Sequence, residues 1–206
     1  MDAYYTLQKS ASQEIKIKGS RFIGYAKSVD SQHEAETFIS EISQKHHHAT
    51  HISYAYRVGR GDGSIFRYHD AGEPAGTAGK PILDAIEGRD LTNVVCVIGR
   101  YFGGTKLGTG GLAKAYGECA RQTLSRGGKI ERFVTVAYRI VFDYDFTGVI
   151  MHLVARYSCQ IIETVYGEKT ELVLQIRQSR MHAFEQDALN NTNGQVNLLR
   201  EEASDY

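Results

Sequence analysis

Residues 93–117 read NVVCVIGRYFGGTKLGTGGLAKAYG, and the way this stretch divides decides how the whole chain is read. Its first part is a nearly continuous apolar run of strand length, which predicts a central strand buried on both faces. Six glycines crowd the remainder around two lysines, ahead of a helical pattern. There Leu112, Tyr116, Cys119, Ala120 and Leu124 share one face, Thr109 is the expected N-cap, and Gly127-Gly128 stops the helix. A glycine-rich loop that enters a helix presents unpaired backbone N–H groups beside the positive end of the macrodipole, where anions bind. Arg100, Lys106 and Lys114 add positive charge, and residues 100–114 contain no acid. The competing reading is architectural: the glycines serve left-handed turns and close helix–sheet packing.

Upstream, QEIKIKG and RFIGYAKSV read as two strands joined at Gly19-Ser20. A helix follows, with Ser31 and Glu34 as a capping box and Ala35, Phe38, Ile39 and Ile42 on its apolar face. HISYAYRV and SIFRY are strands separated by the glycine-rich turn at residues 59–63. The loop DAGEPAGTAGK then leads into Pro81, expected at the first helical position, with Ile82, Leu83 and Ile86 inward and Gly88 at the end. This is a second glycine-rich start to a helix, with Lys80 at its mouth. If the strands before the two loops run in the same direction, both helix N-termini open at one sheet edge, a common place for ligands. The order is β-β-α-β-β-α-β-α over residues 1–130.

Downstream, residues 135–206 change character and read β-α-β-β-α-β, the pattern of a ferredoxin-like unit. Val149, Leu153 and Val154 face inward on its first helix, and a hairpin turns at Gly167-Glu168. The polar, turn-rich stretch 127–133 is the expected boundary. The fold class is therefore α+β with two domains.

Composition narrows the function. Lys plus Arg and Asp plus Glu each number 24, so anion binding must come from local clustering and not from net charge. No apolar run approaches the ~18 residues of a membrane helix, and the start lacks the layout of a secretory signal. Three widely spaced cysteines argue against a disulfide scaffold or zinc knuckle. A cytoplasmic protein is expected.

Specific motifs mostly fail. No lysine occupies the slot that a P-loop requires, and the Gly108-x-Gly110-x-x-Ala113 match lies too far from the strand end to be a dinucleotide fingerprint. The run KHHHATH has no carboxylate or cysteine at ligand spacing, so a solvated helix end is expected and no metal. Asp70 and Glu73 are the candidate acid–base or magnesium-holding groups; alternatively, Asp70 only stabilises its own turn. No serine or cysteine has an activating context.

SRFIGYAKSV, HISYAY, DAGEPAGTAGKPIL and RYFGGTKLGTGGLAKAY, spread over residues 20–116, resemble the signature segments of the IMPACT/YigZ family. The tail is similar, by pattern, to the C-terminal domain of bacterial members. The resemblance implies a first domain like the second domain of a small-subunit ribosomal protein and domain IV of elongation factor G. It implies a ferredoxin-like second domain similar to domain V of that factor. Eukaryotic relatives regulate translation by interfering with activation of a kinase, partly through an extra N-terminal domain. This chain begins directly at its first strand, so that role is not expected to carry over, and the resemblance supplies no catalytic residues.

The expected function is a non-enzymatic, translation-related regulator that binds the phosphate backbone of RNA or the ribosome without a cofactor, and possible protein partners belong to the translation machinery. The phosphate-binding candidates are Arg21, Lys80, Arg100, Lys106 and Lys114 with Gly103, Gly104, Gly108, Gly110 and Gly111. Tyr101 and Phe102 are candidates for base stacking, with at least one of them in the core. The alternatives are an enzyme acting on a small phosphorylated substrate, with Asp70 or Glu73 as base or magnesium ligand, and a pure protein-binding regulator.

Overall fold

The computed structural model describes residues 2–201. Contacts divide the chain into two compact units: Tyr4–Arg132, and residues 133–201 together with residues 2–3. The mixed α+β class is as expected, but the second unit's recruitment of N-terminal residues had no signal in the sequence.

The Tyr4–Arg132 unit is built on a five-stranded sheet of order β2 (Ala11–Ile17), β3 (Ser20–Ser28), β6 (Val94–Tyr101), β4 (His51–Val58), β5 (Ile65–His69). Every neighbouring pair is antiparallel. Helix α1 (Gln32–Lys45) covers one face; α2 (Gly79–Glu87) and α3 (Gly108–Gly127) cover the other. Strand β6 shows why its sequence is so apolar. Val94, Cys96 and Ile98 pack with α2 and α3, whereas Val95 and Val97 pack with α1. Two-faced burial here comes from helices on both sides of an antiparallel sheet, not from a parallel one. Two short strands escaped the sequence reading, β1 (Ala3–Thr6) and β7 (Ile130–Phe133), which pair with each other. They are too short to show a period, and β7 lies in the stretch read as boundary.

Helix α1 starts as expected. Ser31 Oγ accepts from the Glu34 N–H at 3.1 Å, while the Glu34 carboxylate reaches back to the Asp30 N–H. Helix α2 starts two residues earlier than expected, at Gly79, leaving Pro81 within the first turn, where its missing N–H still costs nothing. Helix α3 is capped by Leu107 and not by Thr109, and no side chain caps it.

The second unit has β8 (Thr135–Phe142), α4 (Thr147–Arg156), β9 (Gln160–Tyr166), β10 (Thr170–Arg177), α5 (Met181–Asn191) and β11 (Val196–Glu201). Its antiparallel sheet has the order β11-β8-β10-β9. Ile140, Phe142, Leu174 and Phe184 anchor its core. On α4, Ile150, Leu153 and Val154 are buried, so Ile150 takes the place expected for Val149. Among the described residues, no helix is long and apolar enough to cross a membrane.

Candidate functional site

Strands β5 and β6 point the same way, because each is antiparallel to β4, which lies between them. The loops that follow them therefore open at one sheet edge, beside His51 at the start of β4. The register places His51 opposite Arg100 and Tyr54 opposite His69.

The loop after β5 spends its glycine-rich backbone internally. Asp70 Oδ1 accepts from the N–H groups of Ala78 and Gly79 at 2.9 and 2.8 Å, and Oδ2 accepts from Gly76 N–H at 2.8 Å. Burial opposes ionisation of Asp70, but these three N–H groups outweigh it and hold the carboxyl below its usual range. The N-terminus of α2 is thus filled by the chain's own anion. Of the two roles offered for Asp70, the structure shows the turn-stabilising one.

Glu73 is different. Its backbone N–H bonds the Asp70 carbonyl, and the residue is buried. Glu73 Oε1 accepts from Arg100 Nη1 at 2.7 Å and from the Tyr116 hydroxyl at 2.8 Å. Burial, then the charge of Glu73, pushes the Tyr116 phenol up, so it remains a donor. His51 Nδ1 lies 2.8 Å from the Ala71 carbonyl oxygen and so carries the proton of that bond; Nε2 lies 3.9 Å from Glu73 Oε2. The Arg100 guanidinium sits between the rings of Phe22 and Phe102, each centroid 5.6 Å away. Its Nε has no hydrogen-bond partner among the described residues.

Between this polar wall and the start of α3 lies a cleft of about 350 Å³. Lys106, Leu107, Gly108 and Thr109 form its far side, with Thr50, Pro74 and Leu112 completing it. Gly104 and Gly108 have φ of +87° and +70°, the left-handed conformation expected of at least one loop glycine. Gly103 has a different job: a Cβ there would lie 1.9 Å from the Gly19 carbonyl carbon. Left-handed turns and close packing, the two architectural uses of glycine, are thus both found in this loop, at different positions. The first turn of α3 contains no acid and has no side-chain cap.

The candidate cations do not converge. Lys106 and Arg100 line the cleft, but Arg100 is 5% exposed and is paired with Glu73, so it is part of the wall and not a free phosphate ligand. Arg21 is bonded to Glu14 on the exposed β2–β3 hairpin, and Lys80 is bonded to Asp84 one turn along α2. Lys114 and Gly111 line a second hollow, with Ile17 and Lys18. A continuous basic track is not formed by these five residues. Neither aromatic belongs to the core: Phe102 is half-exposed, and Tyr101 is partly buried with its hydroxyl committed to His46. The sequence reading missed His51, hidden in the histidine run, and the polar role of Tyr116, counted only as apolar. Strand register was the one signal that paired His51 with Arg100.

His46 corrects the solvated-end expectation. It caps α1 and is buried, its Nδ1 and Nε2 lying 2.9 and 2.8 Å from the hydroxyls of Tyr101 and Tyr25. Among the described residues no group of three or more metal-ligating side chains forms. Burial, then Lys45 and Arg21, lowers the pKa of His46. The unfolded chain, with its histidine near 6.5, then takes up the proton more readily than the folded one. This contribution to stability is present above that pH and lost as pH falls through the lower folded value. The midpoint of thermal unfolding should drop between pH 7.5 and 5.5, and the drop should be shallower in His46→Asn. Identical pH slopes would remove His46 from the account.

Comparison with known proteins finds relatives of the chain as a whole. The family described as "Impact N-terminal domain" matches residues 18–124, and "Domain of unknown function (DUF1949)" matches residues 140–195. "IMPACT family member YvyE" of Bacillus subtilis is 34% identical over 96% of this chain and 91% of its own length. "IMPACT family member YigZ" of Escherichia coli is 31% identical over 89% of this chain and 91% of its own. A solved structure, "Crystal structure of an hypothetical protein", superposes with a TM-score of 0.71 at 29% identity, covering 99% of this chain and 100% of that one.

Proposed function

The chain belongs to the IMPACT family, and from that premise we propose that it is a non-enzymatic, translation-related protein of the cytoplasm that binds RNA phosphate at the start of α3. The observation that carries this reading is the uncapped, acid-free first turn of a 20-residue helix opening into a cleft beside Lys106. Backbone N–H groups and the helix dipole favour an anion there. The likeness to a ribosomal-protein domain and to domains IV and V of elongation factor G is part of the same proposal. It is supported by the βαββαβ order and β11-β8-β10-β9 arrangement of the second unit.

Binding is favoured over phosphotransfer by the state of the two carboxylates. Both oxygens of Asp70 are held by backbone N–H groups, and Glu73 is neutralised by Arg100. Neither is free to take magnesium or a substrate proton.

Cosedimentation with ribosomal particles tests the proposal. With Lys106 the one cation of the cleft, among the described residues, that has no acidic partner, the salt dependence should be shallow, a log–log slope of about −1 to −2. Lys106→Ala should weaken binding to all sequences alike and flatten the slope by about one unit. Absence of cosedimentation at low salt, together with no RNA gel shift, would leave the loop as architecture only.

A further inference from the structure

We infer that the cleft beside the start of α3 is a binding site for a single nucleotide bearing a phosphomonoester, either free or as the terminal residue of an RNA. The inference rests on the anion-binding reading above and gives that site a ligand class. Size comes first. A volume of about 350 Å³ stands near the lower end of small-ligand clefts, ~300–1,000 Å³. It accommodates one phosphate, sugar and base.

The donors come next. The N–H groups of Gly108, Thr109 and Gly110 have no intrahelical acceptor, and among the described residues no side chain caps them. Arg100 lines the same cleft, is 5% exposed, and keeps Nε without a partner among the described residues while Nη1 is held by Glu73. A phosphate dianion at this point meets helix N–H groups, Lys106 and the field of an incompletely bonded guanidinium. Phe102 supplies the rest. Phe102 is 48% exposed and its ring is backed by Arg100, so it offers a stacking platform next to the phosphate position.

Gly110 gives an independent sign. Its φ is not left-handed, and a Cβ there would meet nothing within 4 Å. Neither conformation nor internal packing demands glycine at this position of a helix, where alanine is the better helix former. Gly110 follows Gly108 and Thr109, which line the cleft, and a ligand reaching across the first turn would account for a glycine here.

Titration calorimetry of the full chain with AMP, ribose 5-phosphate, adenosine and inorganic phosphate is the test. AMP should bind one to one, roughly tenfold tighter than ribose 5-phosphate, with adenosine showing no binding. Phe102→Ala should close the gap between the two phosphates, and Lys106→Ala should weaken AMP about tenfold. Gly110→Ala should weaken AMP while the thermal midpoint holds or rises by about 2 °C. An RNA oligonucleotide with a 5′-phosphate that binds like AMP assigns the RNA end; one that binds no better than its 5′-hydroxyl form assigns the free nucleotide. Equal affinity for AMP and ribose 5-phosphate, or no saturable AMP binding at millimolar concentration, overturns the inference. If ribosome cosedimentation persists in that second case, only this inference fails; if it is lost as well, the anion-binding reading fails with it.

Discussion

Glu73→Ala should cost the Tyr4–Arg132 unit about 3–5 kcal/mol, the range for removing one partner of a buried ion pair. The carboxylate and the guanidinium are both buried, with side-chain exposures of 3% and 6%. Deleting the carboxylate leaves Arg100 charged and nearly buried, with Nη1 joining Nε as an unpaired donor. The Tyr116 hydroxyl loses its acceptor at the same time. Most of the penalty is the stranded charge and not the lost attraction. The double variant Glu73→Leu, Arg100→Met should therefore recover much of the loss, since it removes both charges and leaves apolar groups between Phe22 and Phe102. Urea unfolding of the three proteins measures this directly. A single-variant cost below about 1 kcal/mol, or a double variant worse than the single, would mean that the pair is solvated and does not form a buried wall of the cleft.

That wall shows where sequence legibility stops. Periodicity located the central strand β6 and the helices, because an apolar residue's partner is any apolar surface and the pattern is written locally. The shared sheet edge was legible too, once strand directions were set. The ion pair was not: Arg100 and Glu73 lie 27 positions apart, and nothing local distinguishes a cation that will be buried against a carboxylate from one that will face solvent. The same limit explains Asp70, Arg21 and Lys80. Each looked available by residue type, and each is occupied by a neighbour that only the fold brings near or that sits one helical turn away. Lys106 remained a cleft-lining cation, on a loop that has no acid close by in sequence. The helix start was legible as glycine-rich, but Leu107 displaced Thr109 as N-cap, because the left-handed turn at Gly108 sets the backbone before the threonine is reached. The uncapped end that results is the feature on which the functional reading depends.

Gly103→Ala carries the second large effect, and it separates the glycines of the loop by mechanism. The φ of Gly103 is not left-handed, so conformation does not exclude alanine. Space does. A Cβ would lie 1.9 Å from the Gly19 carbonyl carbon, 2.1 Å from its oxygen and 2.3 Å from the Ser20 nitrogen. All three are backbone atoms at the β2–β3 turn, so no side chain can swing away. Ser20 is itself buried and its Oγ accepts from the Gly103 N–H at 3.2 Å, which ties the turn to the loop. The chain must part here, breaking that bond and shifting the β3–β6 register where Arg21 pairs with Tyr101. Overpacking of this kind costs about 1–3 kcal/mol or more. Gly104→Ala should cost less, about 1 kcal/mol, because its neighbourhood is open and only its φ of +87° resists a side chain. Gly110→Ala should cost nothing. Thermal unfolding of the three variants should therefore rank them Gly103, Gly104, Gly110 in order of damage. If Gly103→Ala unfolds with the parent protein, the close approach is not a constraint, and the loop's position over the cleft needs another anchor.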